Sequence, residues 1–250
     1  MSGHSKWNSI KHKKAATDAK RGKIFTKHAK LVQVAARGGS DPDMNPGLRS
    51  AIDNARAENM PMDNIEKAIK KGSGEDKDGA QIEEVMYEGY GPNGIALYIQ
   101  ALTDNRNRTV ANIKHIASKK GGSIGEPGSV AYMFNKKGVI NIPIGGDATA
   151  DDIELAAIDA GAEDIESGDE MVQVYTAPSD LMAVKKQIEA SGIKVETAEF
   201  TFLPQTEVAI SEEESARKVL NLMEALEDDE DVTNVYSNFN IDDSLMEKVA

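Results

Sequence analysis

The chain has 250 residues, of which 40% are apolar, with no cysteine and a net charge of −13. That length supports one large domain or two to three small ones with packed cores, and the absence of cysteine excludes disulfides, thiolate zinc sites and cysteine nucleophiles, which fits a reducing compartment, the cytoplasm. No run approaches the roughly 20 apolar residues of a membrane span, and the charged N-terminus lacks a signal peptide's apolar stretch.

The charge is unevenly spread. Residues 1–37 hold ten Lys or Arg against one acid, Asp18, a local +9 that leaves −22 on the other 213 residues. A chain this acidic has no general electrostatic attraction for polyanions, so a cationic block at one end reads as a dedicated phosphate-contacting surface. The competing reading is a lysine-rich, solvated helix. The candidate contacts are Lys6, Lys11, Lys13, Lys14, Lys20, Arg21, Lys23, Lys27, Lys30 and Arg37. Helical spacing from Lys20 to Arg37 predicts an apolar arc of Ile24, His28, Leu31, Val32 and Ala35, with Lys20, Lys23, Lys27, Lys30 and Arg37 as a stripe on the opposite side. Gly38 and Gly39 stop that helix. Asn45 and Pro46 supply the cap and first turn of a second, with Leu48, Ile52 and Ala55 inward. A third follows Pro61, with Ile65, Ala68 and Ile69 inward and Gly72 as its stop, and the polar stretch from Gly72 to Gly79 reads as a linker. Residues 1–79 are thus expected to form a basic helical domain.

From residue 80 the pattern becomes β-rich. Val85 to Tyr90 and Ile95 to Leu102, joined by Gly91-Pro92-Asn93-Gly94, predict a hairpin. Asp104 or Asn105 caps a helix with Val110, Ile113 and Ala117 inside and Arg108, Asn112, His115 and Lys119 outside; a strand is expected at Ser129 to Phe134. Between Val139 and Leu203 the predicted order is strand (Val139 to Pro143), helix (Thr149 to Ala160), strand (Glu163 to Ser167), strand (Met171 to Thr176), helix (Pro178 to Ser191), strand (Ile193 to Leu203), a ferredoxin-like βαββαβ sandwich. A last helix repeats Ala216, Val219, Leu220, Met223 and Leu226 at helical spacing behind a capping box of Ser211 and Glu214. The expected fold is α+β in three domains: the helical 1–79, a discontinuous α/β domain of 80–134 and 205–250, and an inserted ferredoxin-like domain, 135–204.

Chemistry-bearing motifs are few. Gly89, Gly91 and Gly94 match G-x-G-x-x-G, but a strand follows and Pro92 lies inside, so a hairpin turn is expected instead of a nucleotide site. Gly121 to Gly128 lacks the G-K-[ST] ending of a P-loop and reads as a flexible loop beside the cationic helix. No His pair has zinc-finger or H-E-x-x-H spacing, His28 reads as packed, and no nucleophile elbow occurs, so no catalytic residue, metal, cofactor or small-molecule substrate is expected. A metal-dependent nuclease built on clustered carboxylates is a remote alternative. The acidic run Glu227 to Asp231 sits at a helix C-terminus, where negative charge opposes the macrodipole; it reads as a solvated turn, the sharper alternatives being that it repels nucleic acid or meets a basic partner.

Four segments, GHSKWNSIKHKK (Gly3 to Lys14), YEGYGPNG (Tyr87 to Gly94), TDNRNRT (Thr103 to Thr109) and GSVAYMF (Gly128 to Phe134), occur in order, and the whole chain resembles the YebC family of bacterial regulators, whose mitochondrial relatives are translational activators. The resemblance implies a cytoplasmic, non-catalytic three-domain protein, usually labelled a transcriptional regulator that binds DNA. It also implies a competing role as a ribosome-associated translation factor on ribosomal RNA. Nucleic-acid contacts are expected in the first domain, with the outer face Arg108, His115 and Lys119, and Arg106 beside it, as a second candidate surface whose alternative is a solvated helix face. With Gln33 near the stripe but no Arg/Asn reading set, weak sequence specificity is expected.

Overall fold

In the computed structural model the residues described are 18–75, 81–145 and 148–249. Three helices open the fold: α1 (Asp18–Ala35), extended by a tight turn over Ala36–Gly38, α2 (Pro46–Ala57) and α3 (Met62–Ser73). As expected, the Asn45 side chain caps α2 by accepting from the Leu48 N–H at 3.1 Å. The core face of α1 carries Phe25, Ala29, Val32 and Ala36, against Leu48, Ile52, Ala55, Ile65 and Ala68. This departs from the predicted arc: Ile24 and Leu31 are half-buried outside that cluster, because a second surface of α1 also faces the rest of the chain. Gly72 is not the stop of α3, which runs on to Ser73 and is capped by Gly74 in the left-handed conformation. Gly72 instead lets two helices touch: a Cβ there would lie 2.1 Å from the Gln33 carbonyl oxygen.

The second domain is built on an antiparallel sheet in the order β3-β1-β2-β9: β1 (Glu83–Tyr90), β2 (Ala96–Thr103), β3 (Ser123–Ile124) and β9 (Val232–Ser237). Gly91 to Gly94 make the tight hairpin turn, with Asn93 and Gly94 at positive φ. Ser123 and Ile124, inside the predicted flexible loop, pair with Gly89 and Tyr90, and a Cβ at Gly89 would meet the Ser123 carbonyl at 2.3 Å. The helices α4 (Arg106–Lys119), capped by Asn105, and α7 (Glu213–Glu227) cover one face of the sheet. The inward side chains of α4 are Thr109, Ile113 and Ala117, so Thr109 takes the place expected for Val110. All five repeated residues of α7 are buried, but its N-cap is Glu212 without a side-chain hydrogen bond, so the expected Ser211–Glu214 box does not form; Glu214 pairs with Lys218 instead. A parallel pair, β8 (Val208–Ile210) with β10 (Phe239–Ile241), and α8 (Asp243–Val249) complete this domain.

The inserted sandwich comprises β4 (Phe134–Pro143), α5 (Ala150–Asp159), β5 (Asp164–Ser167), β6 (Met171–Thr176), α6 (Leu181–Ala190) and β7 (Thr197–Pro204), with sheet order β5-β6-β4-β7, antiparallel throughout. That is the ferredoxin-like arrangement. Its core of Ile140, Ile142, Val172, Val174, Ile153 and Ile188 lies between sheet and helices. Residues 129–133 are turn rather than the expected strand, because β4 starts at Phe134 and runs straight into the sandwich. Likewise 193–196 precede β7 as connection, not strand.

Two joints tie the domains together, and they differ in kind. Between the two sheets lies an aromatic cluster: Tyr98 packs on Phe134 and Phe202 at 5.6 and 5.0 Å between ring centroids, and Phe202 on Tyr236 at 5.1 Å, with Ala96 and Val130 beside them. The helical domain is held by polar groups. Ser50 Oγ donates to the Ala198 carbonyl at 2.8 Å, Lys185 lies 3.6 Å from Asp53, and Arg37 donates to the Ile82 carbonyl. Among the described residues no buried apolar cluster is shared between this domain and the other two.

Candidate nucleic-acid interface

Of the expected cationic stripe, Lys23, Lys27 and Lys30 are turned onto the chain's own acidic run, while Arg37 donates to the Ile82 carbonyl. Lys23, Lys27 and Lys30, at i, i+4 and i+7 of α1, present their ammonium groups to the C-terminus of α7. Lys27 Nζ donates to the Glu227 carbonyl at 2.5 Å, Lys23 Nζ to the Asp228 carbonyl at 3.1 Å, and Lys30 Nζ to the Glu230 carbonyl at 2.9 Å. Lys23 also lies 3.5 Å from the Asp228 carboxylate, and Lys30 2.8 Å from that of Asp231. The last carbonyls of a helix have no partner within it and carry the negative end of its dipole, so Lys27 on the Glu227 carbonyl and Lys23 on that of the C-cap Asp228 satisfy both hydrogen bonds and charge, while Lys30 reaches the turn beyond. This resolves the unfavourable placement of the acidic run at a helix C-terminus. The expectation of a solvated turn is corrected: the run meets a basic partner, and that partner is α1.

Asp231 is the centre of the joint. It is 4% exposed, and its carboxylate accepts from Lys30, from Arg108 Nη2 at 2.9 Å and from Thr109 Oγ1 at 2.7 Å. Thr109 in turn lies 2.8 Å from Thr103 Oγ1. Burial pushes the carboxyl up, but the hydrogen bonds from Lys30, Arg108 and Thr109 outweigh it and hold it at about 2. Arg108 also bridges to Asp104 at 2.9 Å, and Asn112 Nδ2 lies 3.5 Å from Asp229. Part of the expected outer face of α4 is therefore occupied by the same acidic run, while His115 and Lys119 are exposed and Arg106 pairs with Glu83.

The remaining nominated residues divide simply. Lys6, Lys11, Lys13 and Lys14 lie outside the described residues, as does the segment GHSKWNSIKHKK; Lys20 and Arg21 belong to the first turn of α1. His28 is half-buried, with burial lowering its pKa against a smaller opposite effect of Glu58. Cations that sequence reasoning passed over are Lys67, Lys70 and Lys71, exposed on α3 along a groove whose floor includes Phe25, Ala29 and Met60. The K-A-I-K-K spacing is the signal that points to them, since i, i+3 and i+4 share a helix face.

The three motifs of the resemblance that fall within the described residues meet other segments of the chain. Glu88 of YEGYGPNG is 7% exposed and accepts the backbone N–H groups of Gly128, Val130 and Ala131, all of GSVAYMF, each at 2.7 Å. Burial raises its pKa, and the three N–H groups together outweigh that and leave it below the ordinary carboxylate value. TDNRNRT supplies Thr103, Arg108 and Thr109 to the Asp231 network. Among the described residues no group of three His, Asp or Glu side chains is arranged to hold a metal ion, and no helix is long and apolar enough to cross a membrane.

Comparison with known proteins matches residues 5–75 to the TACO1/YebC protein N-terminal domain and residues 82–239 to the TACO1/YebC second and third domain. The chain is 51% identical to a "Probable transcriptional regulatory protein" of Halothermothrix orenii, over all of this chain and 99% of that one. It is 53% identical to one of the same name from Trichlorobacter lovleyi, over the full length of both. Among solved structures it is similar to a conserved hypothetical protein of Aquifex aeolicus, with a TM-score of 0.86 and 45% identity over 90% of this chain and 93% of that one.

Proposed function

The chain belongs to the TACO1/YebC family, and from that premise we propose that it is a non-enzymatic regulator of gene expression that holds nucleic acid by its phosphates, with transcriptional regulation on DNA as the process served. The observation that carries this reading is the +9 charge of residues 1–37 in a chain of −13. The name shared by the relatives from Halothermothrix and Trichlorobacter supports the regulatory part. We assign the contact to the six cations before Gly22, Lys6, Lys11, Lys13, Lys14, Lys20 and Arg21, while Lys23, Lys27, Lys30 and Arg37 have partners inside the chain. Six phosphate contacts give a log–log salt slope of about −5.4 on duplex DNA and about −4.2 on a single strand. Binding isotherms between 50 and 200 mM salt measure that slope; a flat response refutes the proposal.

A second reading, a ribosome-associated translation factor on ribosomal RNA, is favoured by one observation. The stripe face of α1 lies against α7, which argues against α1 serving as a groove-reading helix in this form and for recognition of phosphate and shape. Crosslinking in cells followed by sequencing of the bound nucleic acid separates the two: promoter DNA supports the first, ribosomal RNA the second.

A further inference from the structure

Lys23, Lys27 and Lys30 meet three carbonyl oxygens and two carboxylates, all borne by five consecutive residues, Glu227 to Asp231. The lysines stand on one face of a regular helix, about 5–6 Å apart from one to the next. A row of anionic oxygens at that spacing is also what a phosphodiester backbone offers. The contacts are graded in burial: the Lys30 and Asp231 side chains are 15% and 6% exposed, whereas those of Lys23 and Asp228 are 43% and 58% exposed. The stripe is therefore sealed at one end and open at the other. The joint it forms is hydrogen-bonded and ionic, and among the described residues the helical domain shares no buried apolar cluster with the domain it is docked on.

We infer that the Lys23–Lys27–Lys30 stripe is a polyanion site closed by the chain's own acidic turn, and that nucleic-acid phosphates exchange for residues 227–231, entering at the exposed Lys23–Asp228 end. The inference rests on the nucleic-acid reading proposed above. In the closed form the acidic turn shields the stripe from weak or short anions, and a long strand, which brings many phosphates on one molecule, displaces the turn. Exchange gives the lysines phosphate oxygens in place of the carbonyls of Glu227, Asp228 and Glu230 and the carboxylates of Asp228 and Asp231. It undocks α1 from α7 and leaves the aromatic joint between the two sheets untouched.

The test uses the full-length protein. Asp228→Asn with Glu230→Gln neutralises two exposed carboxylates of the turn and leaves the buried Asp231 network in place. Asp151→Asn with Asp169→Asn, exposed positions on the inserted sandwich, makes the same change in net charge elsewhere. Because the chain has no cysteine, Asn64→Cys on α3 and Glu224→Cys on α7, both exposed, accept a label pair that reports the separation of the two domains. The probes are a 30-base-pair duplex and a 30-nucleotide single strand of mixed sequence. The turn variant binds either probe about three- to tenfold more tightly than the wild type at 50 mM salt, on the scale of exposed ion pairs, and the control pair changes affinity by less. Saturating probe lengthens the label distance in otherwise wild-type protein. Equal affinity of the turn variant and the control, with a label distance unmoved by bound probe, overturns the exchange while leaving the nucleic-acid reading intact. No binding of either probe by any variant overturns both.

Discussion

Replacing Asp231 with Asn removes one charge from the centre of the joint between α1, α4 and the end of α7. The wild-type carboxyl is held at about 2, against 3.8 for an ordinary aspartate, a preference for the charged form of roughly 2.5 kcal/mol. The site is shallow, with the Arg108 side chain 48% exposed above it, so solvent screening reduces that to about 1–2 kcal/mol. Because the folded value lies below the unfolded one, the stabilisation is fully present above about pH 4 and disappears as pH falls through about 2. Asp231→Asn lacks this titration but keeps the shape and one acceptor. Urea unfolding followed by circular dichroism should therefore place the variant about 1–2 kcal/mol below the wild type at pH 7, a gap that closes between pH 4 and pH 2. Other carboxylates titrate equally in both proteins and cancel. A gap that stays constant from pH 7 to pH 2.5, or no gap at pH 7, refutes the assignment of Asp231 as the charged centre of the joint.

Two further substitutions probe the supports of the fold. Gly72→Ala puts a methyl group 2.1 Å from the Gln33 carbonyl oxygen and 2.8 Å from Ala36 Cβ, so α1 and α3 must separate. A loss of about 1–3 kcal/mol is expected from such overpacking, seen as faster hydrogen exchange across residues 25–69 with the inserted sandwich unchanged; uniform protection in all three domains contradicts it. Glu88→Gln replaces an acceptor-only group with one that turns a donor toward backbone N–H groups, and a loss of about 2 kcal/mol is expected, read from chemical denaturation and from amide exchange at Gly128, Val130 and Ala131. Unaltered exchange at those three amides contradicts the assigned role.

What the sequence discloses is whatever nearby residues decide among themselves. Asn45 before Pro46 and Asn105 within TDNRNRT have their acceptor three residues from the N–H it satisfies, so the first cap is readable by eye and the second to within one residue, Asp104 or Asn105, and β6 runs from Met171 to Thr176 as the alternation implies. The order of elements in the inserted sandwich follows for the same reason. Features that depend on distant partners are hidden. Val232–Ser237 has the β-branched and aromatic residues of a strand, but its place in the sheet is set by β2, which offers it an edge more than 130 residues away in sequence. Phe25, Ala29 and Ala36 form the core face of α1 rather than Ile24 and Leu31, since the helix is covered on two sides and a wheel allows for one. The same limit applies to the candidate interface. Geometry on the wheel gathers Lys23, Lys27 and Lys30 correctly, but the oxygens they meet are about two hundred residues further on, and from charge alone a stripe aimed at nucleic acid and one aimed inward look the same.

The point where the inserted sandwich leaves its host bears on how the chain folds. β4 and β7 are antiparallel neighbours, and Phe134 pairs with Pro204 in their register, so entry and exit lie about 5 Å apart. Once the sandwich has formed, the 69 residues after Phe134 and before Pro204 behave toward the host as a hairpin of negligible length. The two halves of the host, joined where β2 meets β9, then close a loop far shorter than their numbering suggests, and the entropy of that closure falls accordingly. The sandwich, whose apolar core is drawn entirely from its own residues, is the element to form first. Assembly of the sheet that supports Asp231, and with it the docking of the basic helix, comes after.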